Sequence, residues 1–356
     1  MRAAVYHGRE DVRVEEIEEP TVGDGDVLVD VAACGICGSD LHEYAAGPIT
    51  VPDAEPHPVT GERAPLPMGH EFGGRVAAVG SDVTDVAVGD TVAVNPVLYC
   101  GDCRYCTGGN YHLCESLGFV GLSGNGGGFA EQVAVPREKV VAFPDSVPAE
   151  HAALVEPFSV GLHAVRNADF EAGDDVAVFG AGPIGLTVVQ AAVAAGARTV
   201  YAVEPQETRR DLAGEVGADV TLDPSAMDAL DALLNATDGG VDATFEVAGI
   251  EATVRDAIAA AKHDGSVTVV SLFEEDVALD PNEIVLGERS VGGSAAYEAG
   301  PRGGVEFDAV PDMFADGTLD PEPLVSDRIA LDDVVAAGFE ALLDPERDAV
   351  KVLVEP

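Results

Sequence analysis

The stretch from Asp175 to Glu204 constrains the fold of this chain more than any other. Val176-Ala177-Val178-Phe179 is a short apolar run rich in β-branched residues, entered from Gly173 and left through a glycine turn. That is the pattern of a buried parallel strand. Gly180-Ala181-Gly182-Pro183-Ile184-Gly185 follows with G-x-G-x-x-G spacing, and Leu186 to Ala195 continues as an Ala/Val-rich helix stopped at Gly196. The three glycines have separate tasks: a tight turn at Gly180, backbone approach to a pyrophosphate at Gly182, and close helix-to-strand packing at Gly185. Past Pro183, from Ile184 on, the free N–H groups that open the helix face an anion. A second strand, Thr199 to Val203, ends on Glu204, which lies 19 residues past Gly185. About 20 is the spacing of an acid that binds ribose hydroxyls. Strand, turn, helix, strand and terminal acid together imply a βαβ dinucleotide site. A carboxylate accepts hydrogen bonds from a 2′-hydroxyl and repels a 2′-phosphate, so Glu204 favours NAD over NADP. Arg209 and Arg210 follow close by and could serve a phosphate instead.

Downstream, helical and extended patterns alternate: Thr208 to Val216 helical, Val220 to Leu222 extended, Met227 to Ala236 helical, Ala243 to Val247 extended, Glu251 to Ala261 helical, Ser266 to Leu272 extended. This predicts an α/β Rossmann fold, a doubly wound parallel sheet. Val247 and Ser271 fall at carboxyl ends of strands, where such sheets bind ligands. Ser290 to Tyr297 reads as one more strand, and Val350 to Val354 as a last strand able to rejoin the first domain.

At 356 residues the length suggests about two domains. No run reaches the ~18 apolar residues of a membrane span, and Met1 to Tyr6 leads into charged residues rather than an apolar leader. A cytoplasmic location without membrane attachment is expected. The charge is unusual: 64 acidic against 19 basic residues, net −45, with lysine only at 139, 262 and 351. Such a surface repels nucleic acid. The acids are scattered between well-patterned apolar segments rather than gathered in a tail, so they belong to a folded surface. Self-repulsion on that scale is relieved by high salt, which predicts a halophilic source.

The first third alternates as a β-rich domain, with strands at Ala3 to Tyr6, Val12 to Glu15 and Val27 to Val31. Cys34 to His42 then places thiol, hydroxyl, carboxylate and imidazole within nine residues, opening a short helix. Gly47 to Pro67 reads as a long surface loop ending at Met68-Gly69-His70-Glu71. Cys37, His70 and Glu71 could ligate one metal if the loop folds back. Glu156, a lone acid in the apolar run Leu154-Val155-Glu156-Pro157, is a candidate to complete the set. Mixed thiolate, imidazole and carboxylate ligands suit zinc, and an incomplete protein shell suits a catalytic ion. An ordinary loop cysteine and a capped histidine remain the alternative.

Cys100-x2-Cys103-x2-Cys106-x7-Cys114 is sharper. Without a secretory leader, closely spaced thiols interleaved with glycine point to a closed four-thiolate structural zinc rather than disulfides. Cys34 is left over as a small buried apolar residue. Ser123 to Gly128 reads as a flexible loop, and Val147 to Arg166 as a helix-rich connector into the nucleotide-binding half.

Taken together, Cys37-Gly38-Ser39-Asp40-Leu41-His42, Gly69-His70-Glu71, the Cys100–Cys114 cluster and Gly180–Gly185 resemble the zinc-dependent medium-chain alcohol dehydrogenases. The likeness runs in order along the entire chain. Glu156-Pro157 in place of a third thiolate, and the segment from Leu41 to Ile49 with His57-Pro58, are similar to the polyol and butanediol branch. The resemblance implies a GroES-like zinc-binding catalytic domain over 1–157, a Rossmann domain over 158–295, and a return segment over 296–356 that completes the first. It implies two zinc ions per chain: a catalytic one on Cys37, His70 and Glu156, with Glu71 adjoining and able to exchange with water, and a structural one. Asp40 becomes the partner of His70, Ser39 and His42 a proton relay, and Lys351 a basic residue on the pyrophosphate. The implied activity is NAD-linked oxidation of a vicinal diol to a hydroxyketone, 2,3-butanediol to acetoin, by a homodimer or homotetramer. A broader polyol or secondary-alcohol dehydrogenase is the alternative, and a non-catalytic zinc-stabilised nucleotide-binding protein a remote one.

Overall fold

A computed structural model describes residues 1–300, 304–344 and 347–356. They form two compact units: Met1–Glu156 with Glu298–Gly317 and Val325–Pro356, and Pro157–Tyr297 with Thr318–Leu324.

The first unit is built on a seven-stranded sheet. Its central strand, Asp26–Gly35, pairs antiparallel with Glu71–Val79, Gln132–Pro136 and Lys351–Glu355, so residues from both ends of the chain meet on one strand. Alternation along Asp26–Gly35 puts Val27, Val29, Val31 and Ala33 into the core and Asp30 into solvent. Phe72, Val92, Val94, Phe129, Phe339 and Val352 fill that core. A smaller three-stranded sheet orders Asp11–Glu16, Arg2–Gly8 and Leu66–Pro67. The expected flexible loop at Ser123 to Gly128 is largely buried instead, because its small residues let backbone run through the packed interior.

The second unit is a six-stranded parallel sheet in the order Val220–Leu222, Thr199–Val203, Asp175–Phe179, Val241–Glu246, Ala261–Val269 and Ser290–Gly293. Strand Asp175–Phe179 is buried at every position, as a parallel strand covered on both faces must be. Successive strands step outward on one side of Asp175–Phe179 and then, from Val241–Glu246, on the other, so the switch point of the doubly wound sheet lies between these two strands.

Some elements differ from expectation. The helix after the glycine turn begins at Pro183 rather than Leu186, because proline at the first helical position costs no hydrogen bond. The strand at Ser290 stops at Gly293 rather than Tyr297, at the edge of the sheet. Helix Val305–Ala315, with Pro311 inside it, gave no clear sequence signal. Thr318–Leu324 joins the second unit, where Asp320 exchanges two hydrogen bonds of 2.7 and 2.8 Å with the Gln190 amide.

Candidate functional site

The sulfurs of Cys100, Cys103, Cys106 and Cys114 lie within 4.8 Å of one another, and all four are free thiols. Cys114 Sγ is 3.5 Å and Cys106 Sγ 4.0 Å from Cys100 Sγ. Four sulfurs at ~2.3 Å from a central zinc would stand about 3.8 Å apart, so the quartet fits the ion. Backbone amides already face the sulfurs: those of Cys103, Cys106 and Ser116 donate to Cys100, Cys103 and Cys114 at 3.3–3.5 Å. Amides of Cys106 and Glu115 lower the Cys103 thiol to about 6, whereas burial pushes Cys106 up to about 12.

A second cluster brings together Cys37, His70 and Glu71, whose ligand atoms lie within 4.8 Å of one another. Cys37 caps helix Gly38–Ala46, and its N–H donates to Asp40 Oδ2 at 2.9 Å. The other Asp40 oxygen faces His70 Nδ1 at 3.6 Å, and both atoms are buried without a hydrogen-bond partner. His70 Nε2 looks toward the Ser39 hydroxyl at 3.5 Å. This fits a ligating imidazole, one nitrogen offered to an ion and the other backed by a carboxylate. Burial disfavours a charged His70, but the Asp40 carboxylate and Cys37 outweigh it and hold the imidazole well above its ordinary pKa. Loading a cation therefore displaces a proton from His70.

Glu71 has a partner that the sequence did not reveal. The Lys351 ammonium donates to both Glu71 oxygens at 2.8 Å and to the Ile36 carbonyl at 2.9 Å, with side chains 2% and 0% exposed. Burial lowers the Lys351 pKa, but Glu71 and Cys37 raise it further and keep it charged. The expectation that Lys351 reaches a pyrophosphate is corrected here: all its donors point into the protein beside the thiolate–imidazole cluster. Glu156 is buried at the start of helix Val155–Asn167, and its charge is among those sustaining the Lys351 cation, but it is not drawn into the trio. His42 is exposed on the same helix as Ser39.

In the second unit, Gly180 takes φ +103° between strand and helix, and a Cβ on Gly185 would strike the Gly180 carbonyl. Gly182 caps the helix, with Pro183 and Ile184 in its first turn. Glu204, 5% exposed, accepts from Ala181 N–H in the glycine turn at 2.8 Å and from Gln206 N–H at 2.9 Å. The acid and the turn are therefore one preformed unit. Arg210 is spent on the Glu204 and Pro205 carbonyls, whereas Arg209 Nε is buried without a partner. Val247 donates its N–H to the Phe179 carbonyl. Ser271 donates to Glu246, a fully buried carboxylate that also accepts from Ala248 N–H, Gly249 N–H and Thr253 Oγ1. Glu246 thus ties together two loops at carboxyl ends of strands. Its one sequence signal is an acid closing an apolar strand before Val247-Ala248-Gly249.

The Alcohol dehydrogenase GroES-like domain model matches residues 23–145, and the Zinc-binding dehydrogenase model matches residues 183–312. Across 100% of both chains the sequence is 44% identical to an (R,R)-butanediol dehydrogenase of Bacillus subtilis. The chain belongs to the zinc-dependent medium-chain alcohol dehydrogenase family. Among solved members of that family, 2R,3R-butanediol dehydrogenase from Bacillus subtilis superposes with a TM-score of 0.92 at 44% identity, covering 100% of this chain and 99% of that one. A zinc-binding dehydrogenase of Sinorhizobium meliloti, solved bound to NADP, superposes with a TM-score of 0.90 at 35% identity and the same coverage. As a medium-chain dehydrogenase, the protein is an oxidoreductase with a GroES-like unit and a Rossmann unit. No helix among the described residues is long and apolar enough to cross a membrane.

Proposed function

We propose that this dehydrogenase interconverts 2,3-butanediol and acetoin with NAD. The observation that carries the reading is the Cys37–His70 pair with its unpartnered Asp40–Nδ1 contact, in a chain that matches a butanediol dehydrogenase end to end. Cys37, His70 and Glu156 would hold the catalytic zinc, with Glu71, paired to Lys351, adjoining and able to exchange with water, and the Cys100–Cys114 quartet would hold a second, structural ion. When bound, zinc supplies a Lewis acid that makes an alcohol hydroxyl acidic, and NAD supplies the hydride acceptor.

The protein's own groups do the rest. Asp40 accepts the Nδ1 proton of His70 and so fixes which nitrogen is offered to the ion. Ser39 stands 3.5 Å from His70 Nε2, where it takes the hydroxyl proton of the diol. His42 lies three residues on, the same face of the helix, and passes that proton to water. Lys351 neutralises Glu71 and so limits negative charge beside the thiolate. Gly180, Gly182, Pro183, Ile184 and Gly185 face the pyrophosphate, Glu204 takes the ribose hydroxyls, Arg209 adds a cation nearby, and the loops at Val247 and Ser271 line the rest of the coenzyme site.

The GroES-like domain over 1–157 and the return segment 296–356 carry the reaction centre, and the domain over 158–295 carries NAD. The protein works in the cytoplasm of a salt-adapted cell, as its net charge of −45 supports. It assembles as a dimer or tetramer through the sheet edge at Ser290–Gly293, where Val291 and the nearby Val285 and Leu286 are exposed. A steady-state screen of 2,3-butanediol, acetoin, glycerol and sorbitol with NAD and NADP in molar salt tests the reading. Highest efficiency is expected with 2,3-butanediol and NAD. Robust NADH formation from glycerol or sorbitol and none from 2,3-butanediol overturns the substrate.

A further inference from the structure

The segment from Gly47 to Pro67 is no loose surface loop. Glu43, 1% exposed, accepts from Ile49 N–H at 2.9 Å and Val51 N–H at 3.1 Å, fastening one end. Farther along, His57 N–H bonds the Glu62 carbonyl, Gly61 N–H bonds the His57 carbonyl, and Glu62 N–H bonds the Thr60 hydroxyl, at 2.7–3.2 Å. The turn so formed docks on a second stretch, Leu117 to Asn125. Thr60 Oγ1 donates to the Ser123 carbonyl at 2.6 Å, and Glu62 accepts from Asn125 N–H at 3.1 Å. The His57 ring reaches the Leu117 carbonyl at 3.4 Å and fills the space over Gly118, where a Cβ would lie 2.7 Å from its Cε1.

What this turn holds is Phe119. Its strand, Gly118–Phe119, pairs with Val97–Leu98 over two residues and is too short to fix a side chain. The fixing is done by Ser123, which has no exposed surface: Phe119 N–H donates to Ser123 Oγ at 3.2 Å, and Ser123 N–H donates back to the Phe119 carbonyl at 2.7 Å. The Phe119 ring then lies with its centroid 6.1 Å from that of His70. An unbroken chain of contacts thus runs from Thr60 through Ser123 and Phe119 to a residue of the thiolate–imidazole cluster. Phe119 is half-buried, packed against the core of its unit, and its ring borders the cluster through His70.

We infer that the 57–62 turn sets substrate selectivity, with Thr60 and His57 as positioning residues that hold Phe119 as a wall beside the reaction centre. The inference rests on the Cys37–His70 cluster being that centre. A fixed phenyl wall admits a short diol with a methyl at each end and crowds a long, hydroxylated chain, which would bury polar groups against the ring. Loosening the wall costs fit for the short substrate and relieves crowding of the long one.

The test uses the zinc-loaded, full-length enzyme with NAD, comparing kcat/KM for 2,3-butanediol with that for sorbitol. Thr60→Val, which removes the donor and keeps the shape, is expected to lower this ratio about tenfold, mostly through KM, with zinc content unchanged. Thr60→Ser keeps the hydroxyl and should keep the ratio, and Phe119→Leu should lower it. A crystal structure of Thr60→Val gives a readout apart from turnover: the Phe119 ring displaced from His70. His57→Gln probes the same docking if Thr60→Val does not fold. A ratio that moves with Phe119→Leu but not with Thr60→Val or His57→Gln overturns the inference, as does equal loss in Thr60→Val and Thr60→Ser. If the wild-type protein ignores 2,3-butanediol, the proposed substrate falls, and the same ratio taken on a short and a long alcohol that it does oxidise still decides the role of the turn.

Discussion

Replacing Lys351 with methionine removes the cation that, among the described residues, pairs with Glu71. Both side chains are essentially without solvent, and the ammonium meets both carboxylate oxygens at 2.8 Å. Breaking a buried pair from one side costs about 3–5 kcal/mol, because the remaining charge is left unpaired. At roughly 2–4 °C per kcal/mol for a unit of this size, thermal unfolding should fall by about 6–20 °C. Glu71→Met alone should cost a similar amount by stranding the ammonium. The double variant should cost far less than the sum, leaving mainly the Ile36 carbonyl without its donor, about 1–3 kcal/mol. Circular dichroism of the four proteins in one high-salt buffer gives the cycle. Added zinc should also recover more stability in Lys351→Met than in the wild type, because the released Glu71 carboxylate stands within 4.8 Å of the Cys37 and His70 ligand atoms. Additive losses, or a Lys351→Met shift within about 2 °C, would refute the claim that the pair is a coupled buried unit.

Three further outcomes follow from other groups. Burial lowers the Lys139 ammonium to about 8, although it donates to the Val97 carbonyl and lies 4.4 Å from the Tyr99 ring centre. The unfolded chain, with an ordinary lysine near ~10.4, holds the extra proton between those values, so this contribution is complete above the upper one and is lost as pH falls through about 8. Urea midpoints should therefore move in favour of the wild type over Lys139→Met by up to about 3 kcal/mol between pH ~7 and ~10.5; parallel profiles would contradict it. Glu204→Ser should raise the NADP-to-NAD efficiency ratio at least about tenfold by removing the carboxylate that repels a 2′-phosphate, and an unchanged ratio takes Glu204 out of that role. Activity and thermal stability should both be higher in molar KCl than in dilute buffer, given a net charge of −45; equal values would end the halophilic reading.

Much of the fold was legible because its determinants are local. The glycine spacing at Gly180–Gly185 and the apolar strands around it report their partners within about 30 residues, the size of a βαβ unit. The cysteine quartet likewise carries its geometry in its spacing. What was not legible depends on pairing across the chain. Lys351 and Glu71 are 280 positions apart, and no period in the sequence links them, so the sequence does not show that the ammonium donates to Glu71 and the Ile36 carbonyl. Glu246 was passed over because an acid ending an apolar strand looks like any strand terminus until its four donors are seen. The strand from Ser290 ran short for a different reason: at a sheet edge pairing has one neighbour only, and the ladder stops at Gly293 with Ala261–Val269. The loop from Gly47 to Pro67 hid its order because its turns are closed by backbone and short polar side chains rather than by hydrophobic periodicity.

The most direct test of the account is zinc content and turnover measured together on one preparation. Two ions per chain are expected, one for each ligand cluster. Mild chelation should remove the ion at Cys37 and His70 first and abolish NADH formation from 2,3-butanediol, and restored zinc should return it. Full turnover of the diol after that site has been emptied, or a loaded protein that never reduces NAD with it, would contradict the central claim.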